Sequence, residues 1–318
     1  ARRYRKMIEG HQRRTHFEAR LSLGYGYDDN RNSAASSDQN LFFGVPVLLN
    51  RDSRRQDDTS VTWAGALGFS RDFGGARPRK AFANLGYYRG EQTRMNILDL
   101  QAYSASGGVS LYYRGFEFVP TIGFDHVLLS QSSYLRDLWQ GLRVARKIRP
   151  RVQLWTEFRH EDQSFVRTPL IINAADRTGD QYDLSVGAVW IASPRDRLEF
   201  SAGHRVKHAR AVASAYRRES LSVDYTRLLG RGMFLAVGFA EQFDRYHRAD
   251  LTISSQGRSD DALIARLLFG MPLNLVWKPL NGFTGTLGVE RFQQSSNLIN
   301  YDYFNNRLTA LVAYKWGN

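Results

Sequence analysis

From Phe17 to Tyr27 the chain alternates with a period of two. Phe17, Ala19, Leu21, Leu23, Tyr25 and Tyr27 are apolar, whereas Glu18, Arg20, Ser22, Gly24 and Gly26 are polar or lack a side chain. A strand sends successive side chains to opposite faces, so this segment has one oily and one wet face. The pattern returns about once every 20 residues as far as Trp316, the weak repeating signature of a transmembrane barrel. In a water-soluble sheet protein each oily face needs a second layer to cover it. The chain offers neither helices nor buried apolar runs for that layer. A closed barrel with its oily face in lipid removes the difficulty, because closure also pairs every backbone donor and acceptor.

Followed along the chain, the alternation predicts fourteen strands in seven hairpins. The second carries Val61, Trp63, Leu67 and Phe69 outward, and the fifth Phe116, Phe118, Pro120, Ile122 and Phe124. The third spans about 80–89, the fourth about 97–112, and the sixth about 138–148, where Arg143, Arg146 and Lys147 blur the alternation. Strand seven starts at Val152, eight centres on Leu184, nine starts near Leu198, and ten shows Leu221, Val223 and Tyr225. Strands eleven to fourteen follow from Met233, Leu263, Phe283 and Leu308. Short links rich in Gly, Pro and Asp follow even strands, among them Tyr113-Arg114-Gly115, Arg149-Pro150-Arg151 and Gly230-Arg231-Gly232. Longer segments follow odd strands, and Gly270 to Gly282 is the one long link on the short side.

The fold class expected is therefore all-β: a transmembrane antiparallel up-and-down barrel with short periplasmic turns and long extracellular loops. It occupies 15–318, after a basic periplasmic extension, 1–14, in which Met7-Ile8-Glu9-Gly10 could close a helix. Tyr25, Tyr27, Phe69, Tyr87, Tyr88, Tyr112, Tyr113, Trp190, Tyr314 and Trp316 sit near strand ends, as girdle rings do at headgroup level.

Composition agrees. Mean hydropathy is −0.44, and no apolar run approaches the roughly 20 residues that a membrane helix needs. The chain has no cysteine, which fits passage through an oxidising periplasm and removes thiol chemistry. Ala1-Arg2-Arg3-Tyr4 has no apolar core and is not a signal peptide. The expected location is the outer membrane of a Gram-negative bacterium, with both termini periplasmic.

The net charge is +13, and of 44 basic residues only Lys6, Lys80, Lys147, Lys207, Lys278 and Lys315 are lysine. An electropositive lumen or rim would draw anionic cargo. Arginine also pairs well with lipopolysaccharide phosphates, and GC-rich coding inflates it. The basic residues are scattered through strands and turns, which argues against nucleic acid as a partner.

Two short stretches carry a resemblance. They are Gly24-Tyr25-Gly26-Tyr27-Asp28-Asp29-Asn30-Arg31-Asn32 and the closing run Ser296 to Arg307, with Ser296-Asn297 before Tyr301-Asp302-Tyr303. Such corners resemble those of the surface lipoprotein assembly modifier family. The resemblance implies a fourteen-stranded C-terminal barrel behind a periplasmic tetratricopeptide domain, and a role in moving lipoproteins or secreted proteins across the outer membrane. Related tetratricopeptide-linked barrels export polysaccharide. No 34-residue helical period occurs in this chain, so a helical-repeat domain would be a partner on the periplasmic side.

The function expected is an outer-membrane translocon assisting export of a protein. The alternative is a polysaccharide-export barrel or a diffusion porin that prefers anionic solutes. Partners would be outer-membrane lipid and lipopolysaccharide, plus the exported protein or glycan. No cofactor, metal or catalytic residue is expected. Selectivity candidates are the charges predicted to face the lumen: Glu18, Arg20, Glu157, Arg159, Asp183, Glu199, Arg205, Asp224, Arg266, Glu290, Arg307 and Lys315. The bland reading is that they pair across neighbouring strands and stiffen the wall. In the first long loop, Leu41, Phe42, Phe43, Val45, Val47 and Leu48 are candidates for a plug, a cargo grip or loop packing. Thr168-Pro169-Leu170-Ile171-Ile172 is a smaller case.

Enzymatic readings find little. A lipid hydrolase needs Ser, His and an orienting group to converge, and only His204 near Ser201 or Ser214 suggests one. Asp28-x-Asn30-x-Asn32 mimics the start of a calcium loop, but Ser33 and Gln39 stand where Gly and Glu are needed. A hydrogen-bonded strand corner explains it better.

Overall fold

The computed structural model describes residues 14–74 and 79–317. The strands are β1 (Thr15–Asp28), β2 (Gln39–Phe42), β3 (Val45–Leu48), β4 (Asp58–Asp72), β5 (Arg79–Gln92), β6 (Leu100–Tyr113), β7 (Phe116–Leu129) and β8 (Ser132–Arg149). They continue with β9 (Val152–Phe165), β10 (Gly179–Ser193), β11 (Asp196–Lys207), β12 (Tyr216–Gly230), β13 (Met233–Tyr246), β14 (Ser259–Pro272), β15 (Phe283–Ser296) and β16 (Tyr303–Gly317). All but β2 and β3 form one closed barrel, each strand antiparallel to its sequence neighbour and β1 paired with both β4 and β16. The fourteen-stranded transmembrane barrel expected from the alternation is the fold.

Register fixes the faces. Phe17, Leu21, Leu23 and Tyr25 point outward and are 45%, 57%, 45% and 55% exposed, values that would be costly in water and are natural against lipid. The same parity continues through Trp63, Leu85, Ile122, Leu184, Leu221, Leu267 and Leu287, all exposed. Among the described residues there is accordingly no large apolar core, and the buried apolar positions are mostly alanines such as Ala19, Ala145 and Ala313.

Several boundaries differ from expectation. The segment after the fifth barrel strand is no long loop: Ser130-Gln131 alone join β7 to β8. Both have positive φ, 47° and 65°, the left-handed pair of a tight hairpin turn whose handedness matches strand twist. The fourth barrel strand begins at Leu100, because Asn96–Leu98 forms a 3-10 turn. The long short-side link is shortened, since β14 continues through Gly270 to Pro272 before two 3-10 turns. The proposed helix at Met7–Gly10 lies outside the described residues. The first strand enters and the last leaves at the rim of the short turns, with Thr15 opposite Arg71 and Glu18 opposite Gly317.

The two stretches that carry the family resemblance meet at the β1–β16 closure. Asn30, 1% exposed, donates to the carbonyls of Ala34 and Phe304 at 2.9 and 3.0 Å, and accepts from the Ala34 amide. Asp29 accepts from the backbone and side-chain amides of Asn306 at 2.8 and 2.7 Å and pairs with Arg55. Asn32 bonds the Arg54 carbonyl and the Gln56 amide. The calcium-like spacing is thus a strand corner in which the Asn30 and Asn32 amides are spent on backbone and the Asp28 carboxylate is paired with Arg31 and Arg307.

Candidate functional site: the charged barrel interior

All twelve charges expected to face the lumen share the inward parity of their strands. Ten of them are in ion pairs. Lys315 meets Glu18 at 2.8 Å, Arg266 meets Glu290 at 2.5 Å, and Arg307 reaches Asp28 at 3.2 Å. Arg205 binds Asp183 at 2.5 Å, Glu199 pairs with Arg197, and Glu157 with Arg143 at 3.1 Å. Arg159 sits among three carboxylates: Glu161 at 2.6 Å, Asp137 at 3.9 Å and Asp125 at 4.0 Å. Arg20 and Asp224 have no ion pair among the described residues. Arg20 faces Lys315 across the β1–β16 ladder.

Mid-strand members of this set remain wet. The Arg266 side chain is 55% exposed and that of Glu290 32%, so no packed side chain covers this pair at the waist. Exposed pairs of this kind contribute about 0–1 kcal/mol each. Their larger effect is to cancel charge locally along the wall, although Glu199 faces Asp224 and Arg20 faces Lys315 across their ladders. The basic excess lies elsewhere, in turns, rims and loops: Arg114, Arg149, Arg151, Arg195 and Arg231 on the short turns, and Arg177, Arg210 and Arg248 on the loops.

Bulky inward rings lie flat against the wall. Trp139 covers Gly123 and Trp155 covers Gly187 so closely that a Cβ on either glycine would collide with the indole. Trp139 Nε1 donates to Asp125 at 2.9 Å, and the Arg159 and Arg143 guanidiniums stack 4.1 and 4.2 Å over Trp139 and Trp155. Glycine in the neighbouring strand gives each ring a place against the wall.

Toward the loops, sequence reasoning missed a second cluster. Arg218 holds Asp244 through two bonds, and its guanidinium lies 5.5 Å over Tyr216, which meets Tyr246 at 5.4 Å. Arg258 is sandwiched between Tyr246 (4.5 Å) and Tyr301 (3.3 Å) and anchored by Asp260 at 2.5 Å. Burial alone would lower the Arg258 pKa, but the bond to Asp260 overrides it and raises it, whereas burial pushes the Tyr301 phenol up. Of these groups Tyr216, Tyr246, Arg258 and Tyr301 border a vestibule of roughly 400 Å³, together with Gln163, Lys207, Arg177 and Arg248. Asp137, Glu161, Arg218, Asp244 and Asp260 belong to the inward parity, but they lie past the strand ends that alternation reveals.

The apolar loop residues Leu41, Phe42, Phe43, Val45, Val47 and Leu48 form the β2–β3 hairpin. Its tip donates from the Phe43 and Gly44 amides to the carbonyls of Thr252 and Ile253, and Asn300 bonds both backbone groups of Leu41. Backbone anchors it; Phe42, Phe43, Val45 and Leu48 stay exposed. Thr168–Ile172 folds on itself, with Thr168 buried and its hydroxyl accepting from the Ile171 amide.

No catalytic convergence forms around the suggested residues. Ser201 faces the lumen and bonds Ser222, whereas His204 faces outward and meets Glu219 at 2.6 Å. His126 Nε2 lies 3.1 Å from Ser133 Oγ, and no carboxylate joins it among the described residues. Among the described residues no group of three or more His, Cys, Asp or Glu is placed to hold a metal ion.

No protein family matches the sequence, and no curated protein does. Among solved structures, OccAB3 of Acinetobacter baumannii is similar at 9% identity, covering 96% of this chain and 99% of that one, with a TM-score of 0.47. OpdQ of Pseudomonas aeruginosa is similar at 8% identity, over 95% and 98% of the two chains, with a TM-score of 0.45. The outer membrane protein OprD of Pseudomonas aeruginosa is similar at 8% identity, over 96% and 94%, with a TM-score of 0.44.

Proposed function

We propose that this chain is an outer-membrane channel that passes small polar solutes by diffusion, with short turns and both termini on the periplasmic side. The observation that carries the reading is the wet waist, where Arg266 and Glu290 face each other across one ladder and both stay open to water. Pairing leaves the waist with little net field. Preference for anions then arises at the two mouths, from Arg20 and Lys80 on the inward parity at the turn rim and from Arg177 and Arg248 in the vestibule. The wall supplies positioning and screening, and the solute carries itself down its gradient.

Planar-bilayer recording tests this. A steady conductance is expected, with a reversal potential in a salt gradient that favours anions. Arg20→Glu with Lys80→Glu should move that potential toward cations while leaving conductance of the same order. A barrel that folds and inserts yet conducts nothing would sink the proposal.

The second reading, protein export in the manner of the lipoprotein assembly modifiers, is favoured by one feature: the exposed apolar hairpin β2–β3 beside the mouth. Its support from the corner motifs is weaker, since those residues are occupied in closing the barrel. Deleting the hairpin would abolish export and leave conductance intact if this second role exists.

A further inference from the structure

Outside the lumen, the wall carries a feature that solute passage does not use. The lipid-facing surface over β8–β14 is hollowed into an open groove of roughly 1140 Å³. Ile148, Leu154, Val186, Phe200, Leu221 and Phe239 line it with outward-parity side chains, and the small Ala188 and Ala202 deepen it. At its turn-rim end the lining changes to Phe116 and Arg146, the guanidinium 4.7 Å over the ring. Arg114 lies 5.2 Å over Tyr113 on the adjoining turn, and Arg149 and Arg151 flank the next. Stacking on girdle rings sets these guanidiniums at the level of lipid headgroups. Arg114, Arg146, Arg149 and Arg151 are all exposed, and none has an ion pair among the described residues.

We propose that this groove holds an anionic phospholipid of the leaflet at the turn rim, acyl chains along the hollow and phosphate on Arg146, Arg149 and Arg151. The apolar hollow matches hydrocarbon, and forked guanidinium donors match phosphate oxygens. The opposite end of the groove carries the carboxylate of Glu241, which repels a second anion and sets the direction in which the lipid lies. A second copy of the chain is the weaker occupant, because it would bring the same unpaired arginines and only Glu241 to neutralise them.

The test uses the full chain in nanodiscs mixing phosphatidylglycerol and phosphatidylcholine, followed by native mass spectrometry of the released barrel. With phosphatidylglycerol at about one lipid in twenty, its ratio to phosphatidylcholine in the retained lipid should exceed the bulk ratio at least tenfold, in keeping with three basic side chains near an anionic headgroup. R146Q/R149Q/R151Q should return the ratio to the bulk value, with folding checked by heat-modifiable gel migration. Ala202→Phe, which fills the hollow and leaves the arginines in place, should lower the retained lipid of both headgroups. Retained lipid of bulk composition on the unaltered chain would overturn the proposal. So would an enrichment that survives the triple substitution, or barrels that pair through this wall with no lipid between them.

Discussion

Arg218 and Asp244 face each other across the β12–β13 ladder and are joined by two parallel bonds, Nε to Oδ1 at 2.5 Å and Nη2 to Oδ2 at 2.6 Å. The Asp244 side chain is 9% exposed and that of Arg218 24%. Removing one partner leaves the other charge in a half-dry site. Asp244→Ala should therefore cost about 3 kcal/mol, and the apolar double replacement Arg218→Met with Asp244→Leu should recover most of it. Urea titration of the refolded barrel in lipid vesicles measures both.

The β1–β16 seam depends on a side chain that bonds only to backbone. Asn30→Ala removes two donated bonds and one accepted bond at a buried position. A loss of about 2–3 kcal/mol is expected. Hydrogen exchange should quicken at Phe304 to Asn306 before it quickens elsewhere, and uniform loosening around the barrel would count against the seam as the weak point.

Acid should also weaken the same corner. Burial raises the Asp29 pKa, but bonds from Asn306 and the Arg55 guanidinium outweigh it, so the folded value lies below the ordinary one. A carboxylate depressed in this way adds stability above its unfolded pKa of about 3.9. That contribution fades as pH falls through the lower folded value. Asp29→Asn should weaken the corner at neutral pH and remove this part of the acid dependence, as read from unfolding midpoints across pH 2 to about 6.

The indole-on-glycine contacts predict a change in conductance with little change in fold. Gly123→Leu or Gly187→Leu places atoms where Trp139 or Trp155 now lies. The ring must swing into the bore, and single-channel current should fall. An unchanged current in a folded variant would show that these rings do not set the bore width.

The turn at Ser130-Gln131 is built from residues poorly suited to positive φ. Replacing them with Asn-Gly fits the left-handed pair better. A gain of about 1 kcal/mol is expected in the same urea titration.

That turn also explains where sequence reading stops. Phe17 to Tyr27 declares its strand because lipid on one side and water on the other enforce contrast at every step. Ser130-Gln131 carries no glycine or asparagine to mark a hairpin, so the fifth and sixth barrel strands are drawn short and a loop is imagined between them. Beyond the bilayer, contrast fades because both faces are wet. Asp137, Glu161, Arg218, Asp244 and Asp260 sit in that zone, and the loop-side cluster goes unseen with them. Inward direction for Arg266 or Glu290 is legible from parity, but whom they pair with depends on register. Trp139 over Gly123 needs knowledge of two strands at once.

The ladder from β1 to β16 makes the barrel a hoop. An open sheet can fray from an outer strand, losing one row of hydrogen bonds at a time. A hoop offers no such starting place, because freeing any strand breaks a row on each of its sides. Dismantling then begins only after a double breach, and for β1 one of the two rows is the one closed at Asn30 and Asn306. Persistence of this protein in the membrane is thus expected to be a matter of how slowly it opens, more than of how deep its energy well lies.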